Sequence, residues 1–578
     1  MSYTLHRLAI ILLLGASLYS IQASPGANVP WITYEAEDMT NSGGTILGPQ
    51  YGANVVASES SGRKCVQLNG TGQYVQFTAQ AAANSIVVRY SVPDTSNGTG
   101  TNYTISLYTN GVFVEKLPVT SQYSWLYGSY PFVNTPSAGS PRNFYDEVRT
   151  NGLNINAGDV VRLQKDSTDT ASYYVIDLVD LENVAAQLTQ PSNSLSITSS
   201  PYNADSTGVN DSSAALVNCI SAAGSSKIVW MPAGTYKISE PINLPSNTTI
   251  QGAGMWFTTL VGDPTVYGNP ANNYNYNSSN RRISFVGNGS NIHLSDFAIV
   301  GKLNYRNDSD WNDGLVQIYG TGSTISRLWV EHVKTGVWIW NSKGLVIDSC
   351  RFRDTIADGC NINYGMQNCI VTNCTTRGTG DDCFAMWPTT TIGAFSYGGN
   401  VVTHCTAQTP FLANGGAIYG GASNRIEDCQ FLDTTYGSGI LISSTFPAAT
   451  ANVFSGTTVA QRCDLIRCGG FDPGYQWRGA FEFCEDINGG GNSANNINGV
   501  NLNNLNITNS ASYGMSVRGS VTTLSNAIAS SVNIPNSGLG YASAAGLIAL
   551  SGAKGSLTMS NSVANSVNNA SGGSFTFV

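Results

Sequence analysis

Ile347-Asp348-Ser349-Cys350-Arg351-Phe352 returns downstream as Val371-Thr372-Asn373-Cys374, then as Val402-Thr403-His404-Cys405, then as Ile426-Glu427-Asp428-Cys429-Gln430-Phe431. The four cysteines stand 24, 31 and 24 residues apart. Ile292-His293-Leu294-Ser295-Asp296-Phe297, Ile325-Ser326-Arg327-Leu328-Trp329 and Leu502-Asn503-Asn504-Leu505-Asn506-Ile507 keep the outline without the thiol. A unit this short, made of β-favouring runs and Gly/Asn turns, has no way to bury its apolar face alone, so copies must stack. Stacked coils of short strands are a parallel β-helix, in which equivalent positions lie ~4.8 Å apart and like residues form ladders. Cys350, Cys374, Cys405 and Cys429 are then one inward ladder of buried thiols, and Cys360 and Cys383 a second. A leucine-rich repeat of similar period requires a Leu/Asn consensus that the chain lacks.

Outward from the repeat the texture changes. From Val29 to Val184, short alternating runs such as Cys65-Val66-Gln67-Leu68 and Ile86-Val87-Val88-Arg89-Tyr90 are separated by Gly/Asn/Ser turns, which predicts a β-sandwich over residues 29–185. Residues 186–199, with Gln190-Pro191-Ser192-Asn193-Ser194, read as a linker, and 200–578 as the β-helix. One helix is expected, Ser212 to Ala223, and 510–578, rich in Ser, Asn, Ala and Gly, reads as final coils or a loose cap. At the start, Arg7 precedes an apolar run from Leu8 to Ile21 that ends in Ala23 and Ser24, the layout of a secretory signal over residues 1–23 and of an extracellular protein. Eleven Asn-x-Ser/Thr sequons permit glycosylation.

Only 11% of the 578 residues are charged, against a usual ~25%. Lys plus Arg number 27 against 36 Asp plus Glu, a formal charge of -9. That leaves no basic stripe for a phosphate backbone or an anionic membrane. A polyanionic substrate would need cations the chain rations, so a neutral partner fits better. The twelve cysteines include no Cys-x-x-Cys pair, and after residue 23 only His293, His332 and His404 remain, which argues against a zinc or Cys-His nucleophile site.

Hydrolysis of a sugar linkage needs one acid to protonate the leaving oxygen and another to activate water. One cluster offers them: Ala357-Asp358-Gly359-Cys360-Asn361-Ile362 and Gly378-Thr379-Gly380-Asp381-Asp382-Cys383. Aligning Cys360 with Cys383 stacks Asp381 over Asp358, whereas aligning Cys350 with Cys374 stacks Asp382 there. Either register brings three acids onto two neighbouring coils, where mutual repulsion raises the pKa of at least one. Arg377 is the nearest base in sequence. Trp387, Trp340, Tyr364 and Tyr419 are candidate stacking platforms for pyranose rings on nearby coils. Other acids, Asp308 and Asp310 among them, read mostly as solvated turns.

Residues 200–480, with Asp205-Ser206-Thr207-Gly208-Val209-Asn210-Asp211-Ser212 and Pro232-Ala233-Gly234-Thr235-Tyr236, resemble the pectate-lyase-like right-handed β-helix superfamily. Within it, Asp358-Gly359 and Gly380-Asp381-Asp382 behind an attached sandwich look like the mycodextranases and α-1,3-glucanases of glycoside hydrolase family 87. That resemblance implies endo-hydrolysis of α-1,3-glucosidic bonds in α-1,3-glucan or nigeran with inversion; a monomer with no catalytic cofactor and a neutral glucan as substrate is expected. It implies Asp381 as the acid, with Asp358 and Asp382 positioning the water. Polygalacturonases share the three-acid arrangement, but their Gly-His-Gly and Arg-Ile-Lys segments are missing; a pectinase and a non-catalytic glycan-binding β-helix stay as alternatives. Tyr34-Glu35-Ala36-Glu37 and Tyr174-Val175-Ile176-Asp177 resemble family 6 and 35 carbohydrate-binding modules, which implies a structural calcium at Glu35, Glu37 and Asp177.

Overall fold

A computed structural model of the chain describes residues 24–263, 283–308, 312–444, 452–471, 476–484, 496–519 and 523–578. The segment read as a secretory signal and Asp310 lie outside the described residues.

The N-terminal part is a sandwich of two antiparallel sheets. One holds Trp31–Glu35, Thr45–Leu47, Cys65–Leu68, Ala83–Ser91, Asp146–Ile155 and Tyr174–Glu182; the other holds Thr40–Ser42, Tyr74–Thr78, Asn102–Thr109, Val112–Thr120 and Val160–Gln164. Strand alternation builds its core: Val161 and Leu163, Ile105 and Leu107 point inward and are buried. The first and last strands pair, Trp31 opposite Glu182 and Glu35 opposite Leu178, which closes the domain.

The β-helix begins earlier than the sequence suggests. Ser194–Ser196, within the expected linker, already pairs in parallel with Ile228–Trp230. The coils run on to Phe575–Phe577, so the Ser/Asn-rich end is coil and not loose cap. Successive turns build a 22-stranded and a 12-stranded parallel sheet around one continuous apolar core, and the helix Ser213–Ala223 lies within that core's first coils.

The repeat has a conformational cause. Ser349, Asn373, His404, Asp428 and Arg462, each one residue before a ladder cysteine, adopt φ between 49° and 56°. Such left-handed residues, for which Asn, Asp and His are suited, bend the strand and turn the next side chain inward. Cys350, Cys374, Cys405 and Cys429 are thereby buried in one row, extended by Cys463, and all twelve cysteines are free thiols. The second expected ladder does not form. Cys360 pairs with Phe384 and not Cys383, because the 24-residue step that stacks Cys374 on Cys350 holds through this coil as well.

Sandwich and β-helix are joined by buried ion pairs. Arg377 Nη1 reaches Glu147 at 2.7 Å and Asp180 at 3.0 Å, Arg351 grips Glu182 at 2.8 and 2.9 Å, and Arg353 faces Glu147 at 3.5 Å. Removing one partner of such a pair strands a charge away from water, which costs about 3–5 kcal/mol. Arg377, the base nearest the three acids in sequence, is spent here.

Candidate active site

The register places Asp382 on the coil directly after Asp358: Gly359 N–H donates to Asp382 O at 3.0 Å and Cys360 N–H to Cys383 O at 2.9 Å. Both aspartates stand just before strands of the 12-stranded sheet, Cys360–Ile362 and Phe384–Met386. The residue after Asp358 must be small, since a Cβ on Gly359 would lie 2.7 Å from Cys383 O. Asp381 occupies the preceding loop, where a Cβ on Gly380 would lie 2.1 Å from Ile356 O. One oxygen from each of Asp358, Asp381 and Asp382 falls within 4.8 Å of the other two.

Their surroundings differ. Asp382 is buried and fully engaged: its Oδ1 accepts from Asn414 N at 3.1 Å and Nδ2 at 2.8 Å, and its Oδ2 accepts from Tyr419 Oη at 2.7 Å. Burial and the Asp381 charge raise its pKa to about 7 in spite of those donors. Asp358, buried and with a single hydrogen bond among the described residues, 3.3 Å from Asn361 Nδ2, is pushed well above the carboxylate range by burial and then by Asp381 and Asp382. Asp381 is the open member, its side chain 32% exposed, and its Oδ2 accepts from Arg306 Nη2 at 2.5 Å. Burial thus favours the protonated form of the two inner acids, beside a more exposed carboxylate.

The aromatic candidates divide. Trp340 and Tyr364 stack on each other at 5.8 Å and 24°, and Trp387 meets Trp338 edge to face at 5.4 Å; all four are partly exposed. Tyr419 is not a platform. It is 8% exposed, packed with Ala417, Leu441 and Cys484, and its hydroxyl serves Asp382. Arg306 and Asn414 went unrecognised from sequence. Asn414 carries a readable signal, since it follows Asp382 at the next coil position, where Cys383 N–H donates to its carbonyl at 2.8 Å. Arg306 carries none, arriving from a loop three coils before Asp381.

The residues expected to hold calcium are placed differently from one another. Asp177 spends its oxygens on the Arg89 guanidinium and on Ser61 N–H, so it is not a free ligand. Glu35 Oε2 and Glu37 Oε2 are buried without a hydrogen-bond partner, but among the described residues Glu35, Glu37 and Asp177 do not gather into a three-ligand group.

Residues 28–184 match the α-1,3-glucanase catalytic domain D1 and residues 205–488 the α-1,3-glucanase catalytic domain D2. Among solved structures, the Agl-KA catalytic domain is 26% identical with a TM-score of 0.81, covering 96% of this chain and 97% of its own. The catalytic unit of a thermostable family 87 α-1,3-glucanase from Streptomyces thermodiastaticus strain HF3-3 is 29% identical with a TM-score of 0.74, covering 96% and 95%. A family 87 α-1,3-glucanase catalytic domain in complex with nigerose is 26% identical with a TM-score of 0.79, covering 96% and 98%. Family 87 catalytic domains with one of three aspartates changed to alanine are known with nigerose or tetrasaccharides, two of those aspartates being adjacent and the third upstream. No curated protein matches the chain. Sandwich, right-handed β-helix and acid cluster together make this chain a member of glycoside hydrolase family 87, the α-1,3-glucanases.

Proposed function

We propose that the chain is a secreted, endo-acting, inverting hydrolase of α-1,3-glucan or nigeran that works through Asp358, Asp381 and Asp382. The observation that carries the reading is the convergence of these three carboxylates within 4.8 Å on adjoining coils. Two features support it: the shortage of cations disfavours a uronate polymer, and the aspartates replaced in the sugar-bound relatives have the same relative spacing as Asp358, Asp381 and Asp382.

In this reading the resting site holds a proton on Asp358. As the glycosidic oxygen approaches the exposed Asp381, the proton passes to Asp381 and from there to the leaving oxygen. Asp382, with its pKa of about 7, takes a proton from the water that attacks the anomeric carbon. Asp358 then recovers that proton from Asp382, and the trio returns to its starting charge. Trp340, Tyr364 and Trp387 offer apolar faces to glucose rings on either side of the cut.

The test is reducing-sugar release from insoluble α-1,3-glucan and nigeran, with polygalacturonate as the contrasting polymer, by the parent chain and by D358N, D381N and D382N. Activity on the neutral glucans that falls roughly a hundred- to ten-thousand-fold in each variant is expected. Full activity in all three variants, or cleavage of polygalacturonate alone, overturns the reading.

A further inference from the structure

Arg306 is 4% exposed and spends all five N–H groups. Nε donates to Asp308 Oδ1 at 2.8 Å, and Nη1 donates to Ile356 O at 3.1 Å and to Gly380 O at 2.6 Å. Nη2 donates to Asp381 Oδ2 at 2.5 Å and to Tyr130 Oη at 3.4 Å. Tyr130 belongs to the other domain. It lies on the sandwich loop between the paired strands Leu126–Tyr127 and Pro141–Arg142, and its hydroxyl donates in turn to Asp308 Oδ2. The Arg306 guanidinium sits 5.1 Å from the centre of the Tyr130 ring.

The loop is anchored beyond that contact. Phe132 is buried against Phe411 of the β-helix, with Arg142 4.0 Å from its ring centre, and Asn134 Nδ2 donates to Asn304 O two residues before Arg306. Phe411 also bounds the catalytic loop, since a Cβ on Gly380 would lie 2.5 Å from its ring.

We propose that the sandwich completes the catalytic site: Tyr130, with Asp308, clamps Arg306 as a positioning residue that fixes Asp381 and sets the charge balance of the three acids. The inference rests on the hydrolase reading above. Arg306 opposes at Asp358 the effect of the other two acids. A planar fork that binds two backbone carbonyls and a carboxylate at once also fixes the direction of the Asp381 side chain, which a lysine ammonium would not do. The N-terminal domain is then part of the active site and not a detachable sugar-binding accessory.

The test uses the full chain with R306Q, R306K and Y130F, reading kcat/KM on α-1,3-glucan against pH beside the thermal melt. Removing the charge should move the profile of R306Q to higher pH by about one unit or more. Y130F, which keeps its ring and packing, should move it the same way by less with an unchanged melt. R306K should bring the profile back toward the parent's position without restoring the rate. Profiles of R306Q and Y130F that superimpose on the parent's overturn the proposal, as does an R306K profile no nearer the parent than that of R306Q. Isotope-edited infrared titration of the aspartate carboxyls in the same variants needs no substrate. An upward carboxyl shift in R306Q and Y130F with no glucan cleavage by the parent would sink the hydrolase reading while keeping the clamp; cleavage without the shift would sink the clamp alone.

Discussion

Tyr419 donates its hydroxyl hydrogen to Asp382 at 2.7 Å from inside a buried apolar cluster, so an aromatic residue on the adjoining coil acts on the acid and not on the sugar. That hydrogen bond lowers the Asp382 pKa against the larger effect of burial, leaving it at about 7. In Y419F the opposing donor is gone, so the Asp382 pKa rises. If Asp382 is the base, the acidic limb of the kcat/KM profile moves to higher pH while KM for a soluble oligosaccharide changes little. The measurement is the pH profile of Y419F beside the parent; a KM-only effect would return Tyr419 to the substrate-binding set.

Asp358 carries a stability cost. Its folded-state pKa stands well above its ordinary 3.8, so above pH 3.8 the unfolded chain releases a proton that the folded chain retains. Stability therefore falls as pH rises from 3.8 toward the folded-state value, by up to ~1.4 kcal/mol per pH unit. D358N removes that slope while abolishing activity. Melts of D358N and parent are expected to diverge with rising pH, the variant melting higher at pH 7 than at pH 4 relative to the parent. A gap that is constant with pH would mean that Asp358 holds no extra proton in the fold.

The β-helix was legible because its coil period is written in side chains that face one way: a polar residue suited to positive φ, then a cysteine. The acid trio was legible for the same reason, since Asp358 and Asp382 occupy one coil position. The choice between the two registers was not, because Cys360 and Cys383 look like a ladder until hydrogen bonding pairs Cys360 with Phe384. Arg306 and Tyr130 were illegible for a different cause. They come from an irregular loop and from another domain, and no periodicity relates either of them to Asp381. Tyr419 was found by position but misread in role, because its place beside a strand does not tell that Leu441 and Cys484 pack around the ring and that its hydroxyl serves Asp382.

The stereochemistry of cleavage is open to direct test. Enzymes that invert with two carboxylates usually hold them ~6.5–9.5 Å apart, whereas here one oxygen from each acid lies within 4.8 Å of the others. Three acids make inversion compatible with the shorter spacing, because Asp382 can activate the water while Asp358, through Asp381, supplies the proton to the leaving oxygen. Proton NMR of the first turnovers on a nigero-oligosaccharide should show the β anomer at the new reducing end, the inverted product of an α linkage. The α anomer formed first would instead require a covalent sugar ester on one aspartate and would rule out direct attack by a water that Asp382 activates.

The sandwich offers a prediction of opposite sign with and without a cation. Burial raises Glu35 to about 8, with Asp177 adding to the effect, and burial raises Glu37 to about 7, both from 4.5. In the apo fold these carboxyls hold protons that the unfolded chain loses above pH 4.5, so stability contributed by them is present below pH 4.5 and lost as pH rises through about 7 and 8. A calcium ion on the orphaned Glu35 Oε2 and Glu37 Oε2 would reverse this, because it binds the anions and is displaced by protons. Thermal melts in EDTA should therefore fall between pH 5 and pH 8. Added calcium should raise the melt most at pH 8 and least at pH 5, and E37Q should remove the calcium response. A calcium effect that is equal at both pH values, or that survives E37Q, would place the ion elsewhere.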